Sequence, residues 1–451
     1  MSCDDCNRAD LLRAAAGRGL PVIEPGMPLP AGTGLTRRRF LARTTGLALA
    51  VYGGSSLLSS RALDEAIAAN APGSRVLVSI FLEGGADALS VLFPVGDPLY
   101  RKLRPHLALS GGTAFAPDPR LSWHPSLGGL AQLFAEGKVA VLPAVGYTHP
   151  DQSHFTSRHY WEVGATDTQL RTGWLGRYLD RTGRDDNPLQ GLSLDDRLQP
   201  VLATAKVPVA SVESPGGYDF WTNGVWGDVQ ELMLGAMGSF SGGADPAANA
   251  AAGAARQSAR LRTELRPFAD KEDGSPSYTI PVPYPKSEDG FPSRLAGLAA
   301  MIAGGLPLSC VALSAPGRYD THADQPKELA DGLKLTSDSL LAFQRDLEAR
   351  GLADRVLVHV WSEFGRRAQE NGSSGTDHGA AGVGFVIGSR VRGGMIGEYP
   401  GLATGLDEDG NLKATADYRE LYCSLLEQWL GADAAPIIPG AASFSRPALL
   451  L

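Results

Sequence analysis

Five of the eight histidines in this chain, His149, His154, His159, His322 and His378, lie in short polar segments that also carry carboxylates. One segment runs Thr148-His149-Pro150-Asp151-Gln152-Ser153-His154 and continues through Arg158 and His159. Others are Asp320-Thr321-His322-Ala323-Asp324, Ser362-Glu363-Phe364-Gly365-Arg366 and Gly375-Thr376-Asp377-His378-Gly379. Asp87 follows Glu83-Gly84-Gly85-Ala86. Imidazoles and carboxylates gathered at one point form the ligand set of borderline divalent cations, zinc above all. A single Asp-His or Asp-x-His is most often a cap or a surface pair, so the chemistry requires that the segments converge. Ser153 has two readings. It precedes a helical pattern and suits an N-cap. The same position puts a hydroxyl where backbone N–H groups and the helix dipole favour a tetrahedral anion, and a nearby cation would make it a nucleophile. Asp151 is the rival nucleophile. Arg158 and Arg366 are candidate clamps for a tetrahedral oxyanion, against the alternative of structural salt bridges.

Elements that bring such segments together are legible in the apolar runs. Arg75–Leu82, Val139–Val145, Cys310–Ala315, Arg355–Trp361 and Val383–Ile387 each read as a buried strand. Helical periods at Leu127–Glu136 and Leu340–Ala349 lie between them. The alternation predicts an α/β fold with a mostly parallel central sheet flanked by helices. In such sheets ligands sit beyond the carboxyl ends of the strands, and the polar segments follow the first four strands or shortly precede the fifth. Residues 226–293, Ala/Gly-rich and then rich in Pro, Ser and charge, read as an insertion or cap, against the alternative of a solvated connector.

The 451 residues are 43% hydrophobic and 20% charged, enough for a large core and against disorder as the dominant state. A net charge of −8 argues against a nucleic-acid partner. Thr36-Arg37-Arg38-Arg39-Phe40-Leu41, followed by the weakly apolar run Thr44–Leu58, has the pattern of a twin-arginine export signal. Residues 1–70 are therefore expected to be a leader, cleaved near Ala68, with residues 71–451 as a single domain and no membrane-spanning segment in it. Cys3 and Cys6 leave with the leader. Outside the cytoplasm Cys310 and Cys423 are permitted to pair, although Cys310 also suits a buried free thiol.

The motifs Gly84-Gly85-Ala86-Asp87, Ser153-His154-Phe155, Tyr319-Asp320-Thr321-His322, Ser362-Glu363-Phe364-Gly365-Arg366 and Gly375-Thr376-Asp377-His378-Gly379 occur in one order. In them the chain resembles an exported bacterial family, domain of unknown function 1501, itself related in fold to the alkaline phosphatase and sulfatase superfamily. The resemblance runs from about residue 37 to 450 and implies an alkaline phosphatase-like fold with a two-metal site. It places Asp87 as a metal ligand, Ser153 at the nucleophile position, Asp320 and His322 as an acid-then-histidine pair, and His378 as the late histidine, with Asp377 beside it. Glu363 stands where the superfamily has an Asp-His pair, and its neighbour Phe364 cannot bind a metal. Asp320, His322 and His378 would suit zinc. A second ion at Asp87, Ser153 and Glu363 would have only oxygen ligands, the preference of Mg, Ca or Mn. The formylglycine signature of sulfatases is absent, since Ser153-His154-Phe155-Thr156-Ser157 lacks its proline.

These readings lead to an exported, metal-dependent hydrolase of phosphate or sulfate esters, acting on a small molecule or polymer, periplasmic, cell-surface or extracellular, that meets the twin-arginine machinery in transit. A mutase-type phosphoryl transfer would share the site. The competing expectation is a non-catalytic exported metal-binding protein that binds a partner protein or a cell-surface polymer.

Overall fold

The computed structural model describes residues 50–52, 74–185, 187–214, 228–240, 243, 245–271 and 274–451. The twin-arginine motif, the cleavage site, Cys3 and Cys6 lie outside the described residues. Ten strands form the main sheet: β1 Ala50–Tyr52, β2 Val76–Phe81, β3 Val139–Gly146, β4 Gly191–Ser193, β5 Val209–Ser211, β6 Cys310–Ser314, β7 Val356–Trp361, β8 Gly382–Ile387, β9 Gly394–Met395 and β10 Ala416–Asp417. Their order is β1-β5-β4-β6-β2-β7-β8-β3-β9, with β10 also on β3. The protein is thus mixed α/β, with a large central sheet flanked by helices.

All five strands expected from apolar runs form. The central strand β2 (VLVSIF) is buried along its whole length because both faces are covered. Its side chains alternate: Val76, Val78 and Ile80 enter one core with Leu130, Leu298 and Leu340. Leu77 and Phe81 enter a second core with Trp161, Tyr418 and Tyr422. Parallel ladders join β2 to β6 (Leu77 opposite Cys310) and to β7 (Val76 opposite Val356). The sheet is mostly parallel, as expected, and β8 is an exception that runs antiparallel to both β7 and β3. That reversal brings the start of β8, rather than its end, to the edge where β2, β3, β6 and β7 finish. It explains why Asp377 and His378 precede their strand instead of following it.

Helices cover both faces: α1 Gly128–Ala135, α2 His154–Val163, α3 Trp174–Thr182, α4 Asp228–Ser239, α5 Pro246–Leu265, α6 Phe291–Ala303, α7 Gln325–Ala349 and α8 Tyr418–Ser424. Within the expected cap, α4 and α5 pack on one another through Leu234 and Ala255, while Leu261 and Leu265 at the far end of α5 join the main core. Strand β1, from the apolar run assigned to the leader, pairs antiparallel with β5. Cys310 and Cys423 are free and buried. Burial pushes both thiols up, Cys423 to about 11. Among the described residues no helix is long and apolar enough to cross a membrane.

Candidate metal centre

Helix α2 begins at His154 because Ser153 caps it, its hydroxyl accepting from the Phe155 N–H at 3.3 Å. The helix ends at Gly164 in the left-handed conformation. Between these ends Trp161 stacks on Trp361, the last residue of β7, at 5.6 Å and on Tyr418 at 4.4 Å. Such aromatic pairs contribute roughly 0.5–1.5 kcal/mol each beyond area burial. They fix α2 against the end of β7 and so set His154 against Glu363, two residues beyond Trp361.

His154 Nδ1 lies 2.7 Å from Glu363 Oε1. An ionised carboxylate only accepts, so Nδ1 carries the proton and Nε2 faces Asp320 Oδ1 at 3.6 Å. His378 repeats the arrangement: its Nδ1 donates to the Gln152 carbonyl at 2.8 Å, and its Nε2 lies 3.4 Å from the same Asp320 oxygen. His322 does so more loosely, with Nδ1 3.4 Å from Asp377 Oδ1 and Nε2 3.1 Å from Asp320 Oδ1. His322 Nε2 is also 2.9 Å from His378 Nε2. Ligand atoms of His154, Asp320 and His378 all lie within 4.8 Å of one another. Phe364, which cannot ligate, packs its ring 4.8 Å from both His154 and His378.

Electrostatics follow from this crowding. Burial alone would push the Asp320 carboxyl up, but hydrogen bonds from the three imidazoles and the Arg366 charge hold it well below the carboxylate range. Burial also opposes ionisation of Glu363, yet His154 holds it at about 2. For His154 burial lowers the value, and Asp320 and Glu363 overcome that, raising it to about 9. Burial pushes His378 down. Two glycines allow the approach. Gly84, at φ +119, would place a Cβ 2.3 Å from the Asp320 nitrogen, and Gly85, at φ +80, would place one 2.4 Å from the Phe364 ring.

Of the residues nominated from sequence, Asp320, His322 and His378 meet, and Asp377 stands behind His322. Glu363 is at the site but behind His154: its oxygens accept from His154, from the Gly84 N–H at 3.1 Å and from the Gly85 N–H at 3.1 Å. Asp87 is taken out of the ligand set. It is fully buried and bound bidentately by Arg104 at 2.5 and 2.9 Å, with Gln325 Nε2 at 2.6 Å. Asp87 is thus committed to Arg104 and Gln325 rather than to an oxygen-only second site with Ser153 and Glu363, and His154, Asp320 and His378 are the only group of three or more His, Cys, Asp or Glu side chains placed to hold an ion among the described residues. Both arginines are spent on the protein. Arg158 pairs with Glu83 and with Glu162 at 2.6 Å. Arg366 binds the Gly85 carbonyl at 2.9 Å, the Thr376 carbonyl at 2.9 Å, the Gly84 carbonyl and Asp320. His159 turns away to the Asp167 carbonyl at 3.1 Å, and His149 sits exposed in the left-handed region at φ 55. The residue passed over as a ligand is His154. Its place directly after an N-cap, in the segment that follows a buried strand, was the available signal.

No curated relative matches the chain. Several solved structures resemble it weakly. A protein of the alkaline phosphatase superfamily from Vibrio parahaemolyticus is 10% identical with a TM-score of 0.36, covering 99% of this chain and 78% of that one. The C-terminal periplasmic domain of EcEptC from Escherichia coli, solved in complex with Zn, is 10% identical at TM-score 0.36, covering 84% and 93%. The PsFucS1 sulfatase from Pseudoalteromonas sp. is 12% identical at TM-score 0.34, covering 82% and 70%. Likenesses at such scores bear on neither activity nor substrate. The sequence match is more direct: residues 120–437 fit the profile of the family described as "Protein of unknown function (DUF1501)", and the chain belongs to that family.

Proposed function

We propose that the protein is an exported hydrolase of phosphate or sulfate esters that works with one divalent cation, zinc by its donor set. The observation that carries this reading is the convergence of imidazole Nε2 atoms on Asp320 Oδ1, each with its Nδ1 turned to an acceptor. Three imidazole Nε2 atoms and one carboxylate oxygen brought to a point are the donor set of a divalent cation, which would take the place of the protons they otherwise share. His154, Asp320 and His378 would hold the ion, with His322 bordering it. When bound, the cation supplies Lewis acidity toward an ester oxygen and stabilises charge on the leaving oxygen.

The chain's own residues do the rest. Arg366 and the Gly84-Gly85 turn hold Asp320 in place. Ser153, between Gln152, which anchors His378, and His154, is the candidate nucleophile. The N-terminal amides of α2 beside it favour a tetrahedral anion. Metal analysis of the purified protein, paired with turnover of a panel of phosphate and sulfate esters, tests the reading. Asp320→Ala and His378→Ala should lose both the metal and the activity, and Ser153→Ala should lose activity by about 10²-fold or more while keeping the metal. Unchanged turnover in Asp320→Ala defeats it.

The second reading, a metal-binding protein without catalysis that docks on a partner protein or a surface polymer, draws support from Arg158 and Arg366, whose guanidinium groups are consumed by the protein itself. Zinc uptake with no ester turned over, and no effect of Ser153→Ala, would favour it. Export by the twin-arginine route belongs to both. Replacing Arg37 and Arg38 by Lys should retain the chain in the cytoplasm.

A further inference from the structure

We propose that Glu363 is a positioning residue that commits His154 to metal ligation, accepting the Nδ1 proton so that Nε2 is the nitrogen left to bind the cation. The inference rests on the metal-centre reading above and goes beyond it by giving Glu363 a role other than ligand. The carboxylate is fully buried, and each of its oxygens is engaged. Oε1 takes the His154 Nδ1 proton at 2.7 Å, and Oε2 takes the Gly85 N–H at 3.1 Å, with the Gly84 N–H shared between them at 3.1 and 3.2 Å. Ser362 Oγ lies 3.2 Å from Oε2. His154, Gly84 and Gly85 thus present three N–H groups, and the carboxylate accepts all of them.

The isosteric amide separates orientation from bulk. In Glu363→Gln the Gly84 and Gly85 amides still demand an acceptor, so the side-chain oxygen stays with them and the NH2 turns to His154. An NH2 group only donates. His154 Nδ1 must then accept, its proton moves to Nε2, and the lone pair aimed at Asp320 is lost. Glu363→Asp keeps the charge and the acceptor on a shorter stem.

The test is zinc affinity by chelator competition for wild type, Glu363→Gln and Glu363→Asp. It is joined by 15N NMR of the histidine side chains in zinc-loaded wild type and by thermal melting of each metal-free variant. Glu363→Gln should bind zinc about 10–100-fold more weakly, the range of outer partners of metal-bound histidines, with Glu363→Asp between the two. Zinc-loaded wild type should show His154 bound through Nε2 and protonated on Nδ1. Affinity of a folded Glu363→Gln within about twofold of wild type overturns the proposal, as does a zinc-loaded wild type with His154 unprotonated on Nδ1. The NMR result decides by itself if the amide variant does not fold. Wild type that takes up no zinc sinks the metal centre itself, whereas uptake without dependence on Glu363 sinks the positioning role alone.

Discussion

Asp87 and Arg104 face one another with no solvent exposure on either side chain. Removing one charge from such a pair leaves the other uncompensated in the interior, at about 3–5 kcal/mol. Asp87→Asn should therefore lower the urea midpoint strongly, while the folded fraction still takes up zinc. Loss of zinc from folded Asp87→Asn would restore Asp87 to the ligand set. Ser153→Ala should cost about 1 kcal/mol as a lost N-cap, read from the same urea curves, whatever it does to turnover. Sequence types alone showed which histidines and carboxylates to watch, and Asp320, His322 and His378 do meet. They did not show that Arg104, absent from every motif, would claim Asp87, nor that His154 would join Asp320 and His378. Both outcomes depend on partners more than ten residues away, which no local pattern encodes.

Strand β7 carries His359 at its centre, fully buried, its ring against Tyr422 at 5.5 Å and neither ring nitrogen hydrogen-bonded. Burial drives it down from 6.5 to about 3. Between those values the unfolded chain binds a proton that the folded one refuses. This contribution to stability is therefore intact above about pH 6.5 and is lost as pH falls toward 3, at up to about 1.4 kcal/mol per unit. Urea midpoints across pH 7.5 to 4.5 should fall more steeply in wild type than in His359→Leu. Equal slopes would show that the ring is protonated without penalty. At this scale the sequence was informative where runs are long. Five apolar segments became β2, β3, β6, β7 and β8, and the period at Leu127–Glu136 became α1. Strands of three residues, such as β4 and β5, are too short to display a period. The helical stretch Leu340–Ala349 proved to be the end of the 25-residue α7, whose earlier turns are polar and interrupted by Gly332. Strand direction leaves no trace in composition, so the reversal of β8 was invisible.

Across the whole molecule, a cation held only by the native state adds stability by mass action, about 2.7 kcal/mol when free metal is a hundred times Kd. Chelation should lower the wild-type Tm by a few degrees, and Asp320→Ala should melt at one temperature with or without chelator. A wild-type Tm indifferent to both zinc and chelator would contradict the centre. The reversed strand β8 has one more consequence. His378 is tethered to a backbone carbonyl 226 positions earlier in the chain, and it enters on the return stroke that leads into β8. A ribosome has made most of the polypeptide before that histidine emerges, so early segments must wait, open-jawed, for a late arrival. The site therefore closes only once the chain has been made past His378, wherever the fold is completed.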